Sequence, residues 1–69
     1  MFAVYSAIQF AQPIMIHTDS KIEARFILME KINSAKIIYD DEGVSYKLID
    51  GIQFYRNTDV DQFVFLDVS

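Results

Sequence analysis

The sequence predicts an α+β fold in which one helix packs on one face of a small antiparallel sheet of about five strands, in chain order β-α-β-β-β-β. Three observations predict it. The first segment alternates apolar residues with period two, residues 21–32 repeat apolar residues at helical spacing behind a capping signal, and the rest reads as strands separated by turn residues. The chain has 69 residues, 52% of them hydrophobic, with only two glycines and one proline, a composition that excludes disorder. It is expected to fold as a single domain, residues 1–69, with a small core, because a chain of this size hides only about 60% of its unfolded surface.

In the first strand, residues 2–10, Phe2, Val4, Ile8 and Phe10 fall on one side and Ala3, Tyr5, Ala7 and Gln9 on the other. Pro13 lacks the N–H that a ladder needs, so pairing should stop or bulge there, with residues 14–16 running to the helix as a covered loop. Ser20 and Glu23 have capping-box spacing, and Thr18 or Asp19 could cap one turn earlier. The helix over 21–32 then places Ile22, Phe26, Met29 and Ile32 on one stripe facing the sheet, with Glu23 and Glu30 opposite and with Ile27 and Leu28 widening the apolar surface.

Strands at 35–39, 44–49, 52–55 and 62–68 follow, separated by the acidic turn Asp40, Asp41, Glu42, Gly43, by Asp50-Gly51, and by Asn57, Thr58, Asp59. Asp-Gly suits a type I′ turn, in which both central residues take positive φ. Val44, Tyr46, Leu48, Ile52 and Phe54 are expected to face the helix, and Ile49, Gln53 and Tyr55 to point away. The last strand is apolar on both sides, Val64, Leu66 and Val68 on one and Phe63 and Phe65 on the other.

Composition narrows the function. The absence of cysteine removes disulfides, thiolate nucleophiles and zinc-thiolate sites, and suits a reducing, cytoplasmic setting. A formal charge of −4 repels a phosphate backbone, which argues against direct nucleic-acid binding, and favours a protein partner with a basic surface. Lys36, Lys47 and Arg56 are interspersed among Asp40, Asp50, Asp59, Asp61 and Asp67, so no positive groove accompanies the aromatics. Residues 1–16 are uncharged but lack the basic region of a signal peptide, and no apolar run approaches the ~20 residues of a membrane span.

Three clusters could carry chemistry. Asn57, Asp59 and Asp61 alternate as calcium ligands do, but a calcium loop starting at Asn57 needs Gly at its sixth position and Glu at its twelfth, where this chain has Gln62 and Val68. They read as turn residues. His17, Asp19 and Ser20 crowd into one helix-capping turn and cannot align as a nucleophile, its base and an orienting acid. No G-x-S-x-G, phosphate loop or H-E-x-x-H occurs, so neither enzyme activity nor a cofactor or metal is expected. Asp40, Asp41 and Glu42 read as a solvated turn that could serve as an acidic contact.

With one helix to cover it, the sheet should leave a face bare that exposes some of Tyr5, Ile49, Tyr55, Phe63 and Phe65, unless it curls into a barrel-like core. The chain is expected to form a homodimer through such a face or through an exposed strand edge, and the face also suits another protein. The expected function is a small acidic non-catalytic binding protein that occludes a partner's basic, nucleic-acid-binding type of surface through Asp40, Asp41, Glu42 and these exposed residues. By size and charge alone it resembles the inhibitor proteins of phages and mobile elements. The alternatives are a carboxylate-based metal-dependent enzyme or sensor and a structural homo-oligomerising domain.

Overall fold

The first strand is shorter than its alternation suggests because Ser6 ends it: its hydroxyl accepts the N–H groups of Ile8 and Gln9, at 3.3 and 3.0 Å, and turns the chain out of the ladder. Ile8 and Phe10 consequently project into solvent instead of continuing the inner face. The computed structural model describes residues 1–55 and 58–68. Its elements are β1 (Phe2–Ser6), β2 (Ile14–Ile16), α1 (Lys21–Ser34), β3 (Ile37–Tyr39), β4 (Ser45–Ile49), β5 (Ile52–Tyr55), a 3-10 turn at Val60–Gln62 and β6 (Phe63–Asp67).

The α+β class and the antiparallel pairing are those the sequence predicts, but the strands form two sheets of three, ordered β2-β1-β6 and β3-β4-β5. The expected covered loop at 14–16 is a strand. Its three residues pair with β1 in the register Phe2↔Ile16, Ala3↔Met15 and Val4↔Ile14. Pro13 immediately precedes β2, where its missing donor costs the ladder nothing. β6 takes the other side of β1, from Phe2↔Asp67 to Ser6↔Phe63, so the first strand is central and the last does not extend the hairpins. Among the described residues the strands thus make two open sheets in place of the expected single five-stranded sheet or barrel-like curl. The expected turn residue Asn57, like Arg56, lies outside the described residues.

The helix begins where its cap predicts. Ser20 is the N-cap, and its Oγ accepts the Glu23 N–H at 3.2 Å. Its rotation is not the expected one. Ala24, Leu28 and Ile32 face inward, Leu28 completely enclosed, whereas Phe26 is 61% exposed and Ile22 and Met29 are exposed beside it. At 100° per residue the helix carries two apolar stripes on opposite sides, and spacing alone does not choose between them. With Leu28 inward, Arg25 and Lys31 flank the buried stripe, reaching Asp61 at 3.1 Å and Asp50 at 2.9 Å. Exposed pairs of this kind add at most about 1 kcal/mol each, so they bias the orientation while burial supplies the energy.

The Asp50-Gly51 turn forms as predicted, with φ of 52° and 79°. A two-residue turn pairs Ile49 with Ile52 and puts both on one face with Phe54. This corrects the expected facing: Ile49 is core, while Leu48 and Val44 are exposed. Lys47 shares the inner face, opposite Phe54, and its Nζ donates to the Ile32 carbonyl near the helix C-terminus at 2.8 Å.

One hydrophobic cluster unites everything: Phe2, Val4, Ile14, Ile16 and Phe63 from the first sheet, Ile49 and Phe54 from the second, and the inner stripe of the helix. Phe54 meets Phe63 edge-to-face at 5.5 Å, a direct contact between the sheets. The Gln9 side chain adds a polar bridge, its amide donating to the Gln53 carbonyl and accepting the Tyr55 N–H. The helix orientation gives a sharp expectation: in denaturant titrations, Leu28→Ala costs about 2–5 kcal/mol, whereas Phe26→Ala costs under about 1 kcal/mol.

Candidate protein-binding face

The two faces of the first sheet follow from its registers. Phe2, Val4, Ile14, Ile16, Phe63 and Phe65 point toward the helix, leaving Ala3, Tyr5, Met15, Val64 and Leu66 on the other side. Among the described residues, the five strand side chains on this outer face carry no charge. Tyr5, Met15, Val64 and Leu66 are 40%, 42%, 55% and 52% exposed. Ala3 sits at the centre of the patch between its cross-strand partners Met15 and Leu66, which overshadow its small side chain and leave it buried. Apolar and exposed, the face is suited to packing and not to bond-making chemistry.

Of the five residues expected on a bare face, only Tyr5 belongs to it. Ile49 and Phe63 are buried in the core. Phe63 is turned inward because the register Ser6↔Phe63 places it on the side of Val4, where it reaches Phe54. Phe65 is half-buried on the same inner side, with the Arg25 guanidinium 5.9 Å from its ring centre, within cation–π range. Tyr55 belongs to the second sheet, half-buried and tilted against Tyr46 at 5.4 Å.

Sequence reasoning misses Met15, Val64 and Leu66 as members of the face. For Val64 and Leu66 the alternation was visible, but both sides of the strand are apolar. Nothing local to residues 63–67 says which side turns inward. Met15 was hidden by reading its segment as a loop.

The acidic turn divides into two kinds of residue. Asp40 is structural: its Oδ1 accepts the N–H groups of Glu42 and Val44, both at 2.9 Å, in a three-residue loop closed by Gly43 at φ 79°. The Gly43 N–H donates to the Asp40 carbonyl at 3.0 Å. Asp41 and Glu42 extend into solvent with no ion-pair partner among the described residues.

The other carboxylates also have local roles. Asp59 caps the 3-10 turn, accepting from the Asp61 N–H while the Gln62 Oε1 accepts the Asp59 N–H at 3.0 Å, and Asp61 pairs with Arg25. Asn57, the first member of the alternating set, lies outside the described residues. Thr18 and Ser20 direct their hydroxyls to backbone N–H groups of the helix start, so Ser20 is occupied as the cap, while the Asp19 carboxylate lies 3.7 Å from the Met1 amino group. Among the described residues no three His, Asp or Glu side chains converge as metal ligands. Their one helix is too short and polar to cross a membrane.

Comparison with protein-family models, curated proteins and solved structures finds no match to this chain. The division of labour within the acidic turn is measurable by thermal and denaturant unfolding. Asp40→Ala is expected to cost about 1–2 kcal/mol by leaving two turn donors without their acceptor, while Asp41→Ala and Glu42→Ala stay within about 0.5 kcal/mol of wild type.

Proposed function

We propose that the chain is a small non-catalytic binding protein that occludes a basic surface of a partner protein. Its anchor is the outer face of the first sheet. The observation that carries this reading is the uniform apolarity of that face: four large side chains from three adjacent strands stand in water with no charge among them. Burying one such side chain is worth about 1.5–3 kcal/mol, which a partner gains on docking. Strands fixed on their inner side to a helix present these side chains with little ordering cost.

Charge supplies direction. The net −4 attracts a basic partner over distance, and the free carboxylates of Asp41 and Glu42 are available for its rim. The apolar face therefore governs how long the complex lasts, and the acids govern how fast it forms and how it responds to salt.

Affinity capture from the source cell, followed by binding kinetics with the captured protein, tests both parts. Leu66→Asp is expected to abolish stoichiometric capture while the variant remains folded, because it alters an exposed position. The double variant Asp41→Asn, Glu42→Gln is expected to slow association several-fold at low salt and to change dissociation little. Capture unaffected by Leu66→Asp would remove the outer face from the account. Calorimetry addresses the competing carboxylate-metal reading: calcium, magnesium and manganese are expected to give no saturable heat, and saturable heat lost in Asp59→Ala would favour that reading instead.

A further inference from the structure

Two three-stranded sheets have four edges, and these are protected unequally. The β5 edge is occupied by Gln9, whose amide takes the Gln53 carbonyl and the Tyr55 N–H as a neighbouring strand would. The β2 edge is three residues long and is preceded by Pro13. At the start of β6 the Phe63 N–H folds back to the Val60 carbonyl, and the Arg25 guanidinium covers the Phe65 ring.

The β3 edge is as short as that of β2, but no proline precedes it and, among the described residues, no side chain takes up its outward backbone groups as Gln9 does on β5. The Asp40 N–H donates to the Val44 carbonyl at 3.0 Å, which sets the phase of the β3-β4 ladder: Ile38 bonds across to Tyr46, while the N–H and C=O groups of Ile37 and Tyr39 point to the open side. Neither residue has another hydrogen-bond partner among the described residues. Ile37 and Tyr39 are 60% and 67% exposed, so no described residue covers the strand on the side they face.

The sequence of this edge complements itself. In Lys36-Ile37-Ile38-Tyr39-Asp40, an antiparallel copy centred on Ile38 sets Lys36 opposite Asp40 of the second copy, Ile37 opposite Tyr39 and Ile38 opposite Ile38. Opposite charges and a β-branched–aromatic pair are both favourable cross-strand partners. The phase also agrees, because the two outward-pointing residues, Ile37 and Tyr39, become the hydrogen-bonded pair and each chain contributes both. Shifting the register to centre on Ile37 or on Tyr39 leaves only one such residue per chain in the ladder and removes the Lys36–Asp40 pairing.

We propose that two copies of this chain join edge to edge through β3 about a two-fold axis at Ile38, forming a continuous six-stranded sheet. The outer face of the first sheet takes no part, so the dimer carries two such faces, and this inference stands or fails separately from the role given to that face. The interface is short on each side and therefore of the weak, small class, detectable at about 10 µM to 1 mM.

Sedimentation equilibrium over that range is expected to show a monomer–dimer equilibrium. Ile37→Pro removes an outward donor that the β3-β4 ladder does not use, and is expected to weaken the dimer at least about tenfold with the circular dichroism spectrum retained. Lys36→Glu, which sets like charges opposite each other, is expected to weaken it in a salt-dependent way. Because the chain has no cysteine, a single introduced thiol reports position directly. Facing non-hydrogen-bonded residues lie about 4.5 Å apart at Cα, within disulfide reach, so Ile38→Cys is expected to give a covalent dimer on mild oxidation far faster than Leu66→Cys. A monomeric mass at about 1 mM, or equal cross-linking at both positions, overturns the proposal.

Discussion

A single helix has to cover the inner faces of two sheets, and the rest of the structure follows from how it does so. The stripe Ala24, Leu28, Ile32 touches β2 on one side and β4 on the other, and Leu28 is fully enclosed within the cluster they form. Neither sheet has enough strands to close on itself, and the second buries its apolar side, Ile49 and Phe54, in the cluster that the helix and the first sheet complete. The helix cannot also shield the opposite sides. The outer face of the first sheet and the helix's own second stripe, Ile22, Phe26 and Met29, are left in solvent as a direct consequence.

Polar contacts then orient what burial holds. Arg25 ties the helix to the turn before β6, Lys31 ties it to the β4-β5 turn, and Lys47 donates to the Ile32 carbonyl in its last turn from the inner face of the second sheet. Each is partly exposed and individually weak, but together they reach both flanks and one end of the helix. Gln9 does the corresponding work between the sheets by closing the β5 edge. The molecule thus distinguishes its edges: one is occupied by its own side chain, and the β3 edge is left open beside Ile37 and Tyr39. The exposed apolar face and the open edge occur on different sheets, so the proposed docking and the proposed self-pairing make separate demands on the fold.

Signals that act over a few residues were legible in the sequence. Ser20 caps the helix, Asp50-Gly51 makes its tight turn, and Gly43 closes the acidic loop, because each depends on backbone geometry that neighbouring residues set. The facing of Ile49 could also have been deduced, since a two-residue turn obliges it to share a side with Ile52 and Phe54. What was not legible depends on distant partners. Pairing of β1 with β6 joins opposite ends of the chain, and without it neither the division into two sheets nor the inward side of Phe63 and Phe65 can be assigned. The helix rotation was hidden because both of its stripes are apolar. For the candidate site, Tyr5 was recovered from simple alternation, while Val64 and Leu66 required the β1-β6 register and Met15 required the recognition of β2 as a strand.

The central claim, that one core makes both sheets a single cooperative unit, is tested most directly by residue-resolved native-state hydrogen exchange across a denaturant series. The amides of Ala3 and Tyr5 in the first sheet and of Ile49 and Phe54 in the second all lie in hydrogen-bonded pairs of their ladders. All four are expected to open with the same free energy and the same dependence on denaturant, which is the signature of one global unfolding reaction. Opening of Ile49 and Phe54 at a distinctly lower free energy with a smaller denaturant slope, while Ala3 and Tyr5 remain protected, would contradict it.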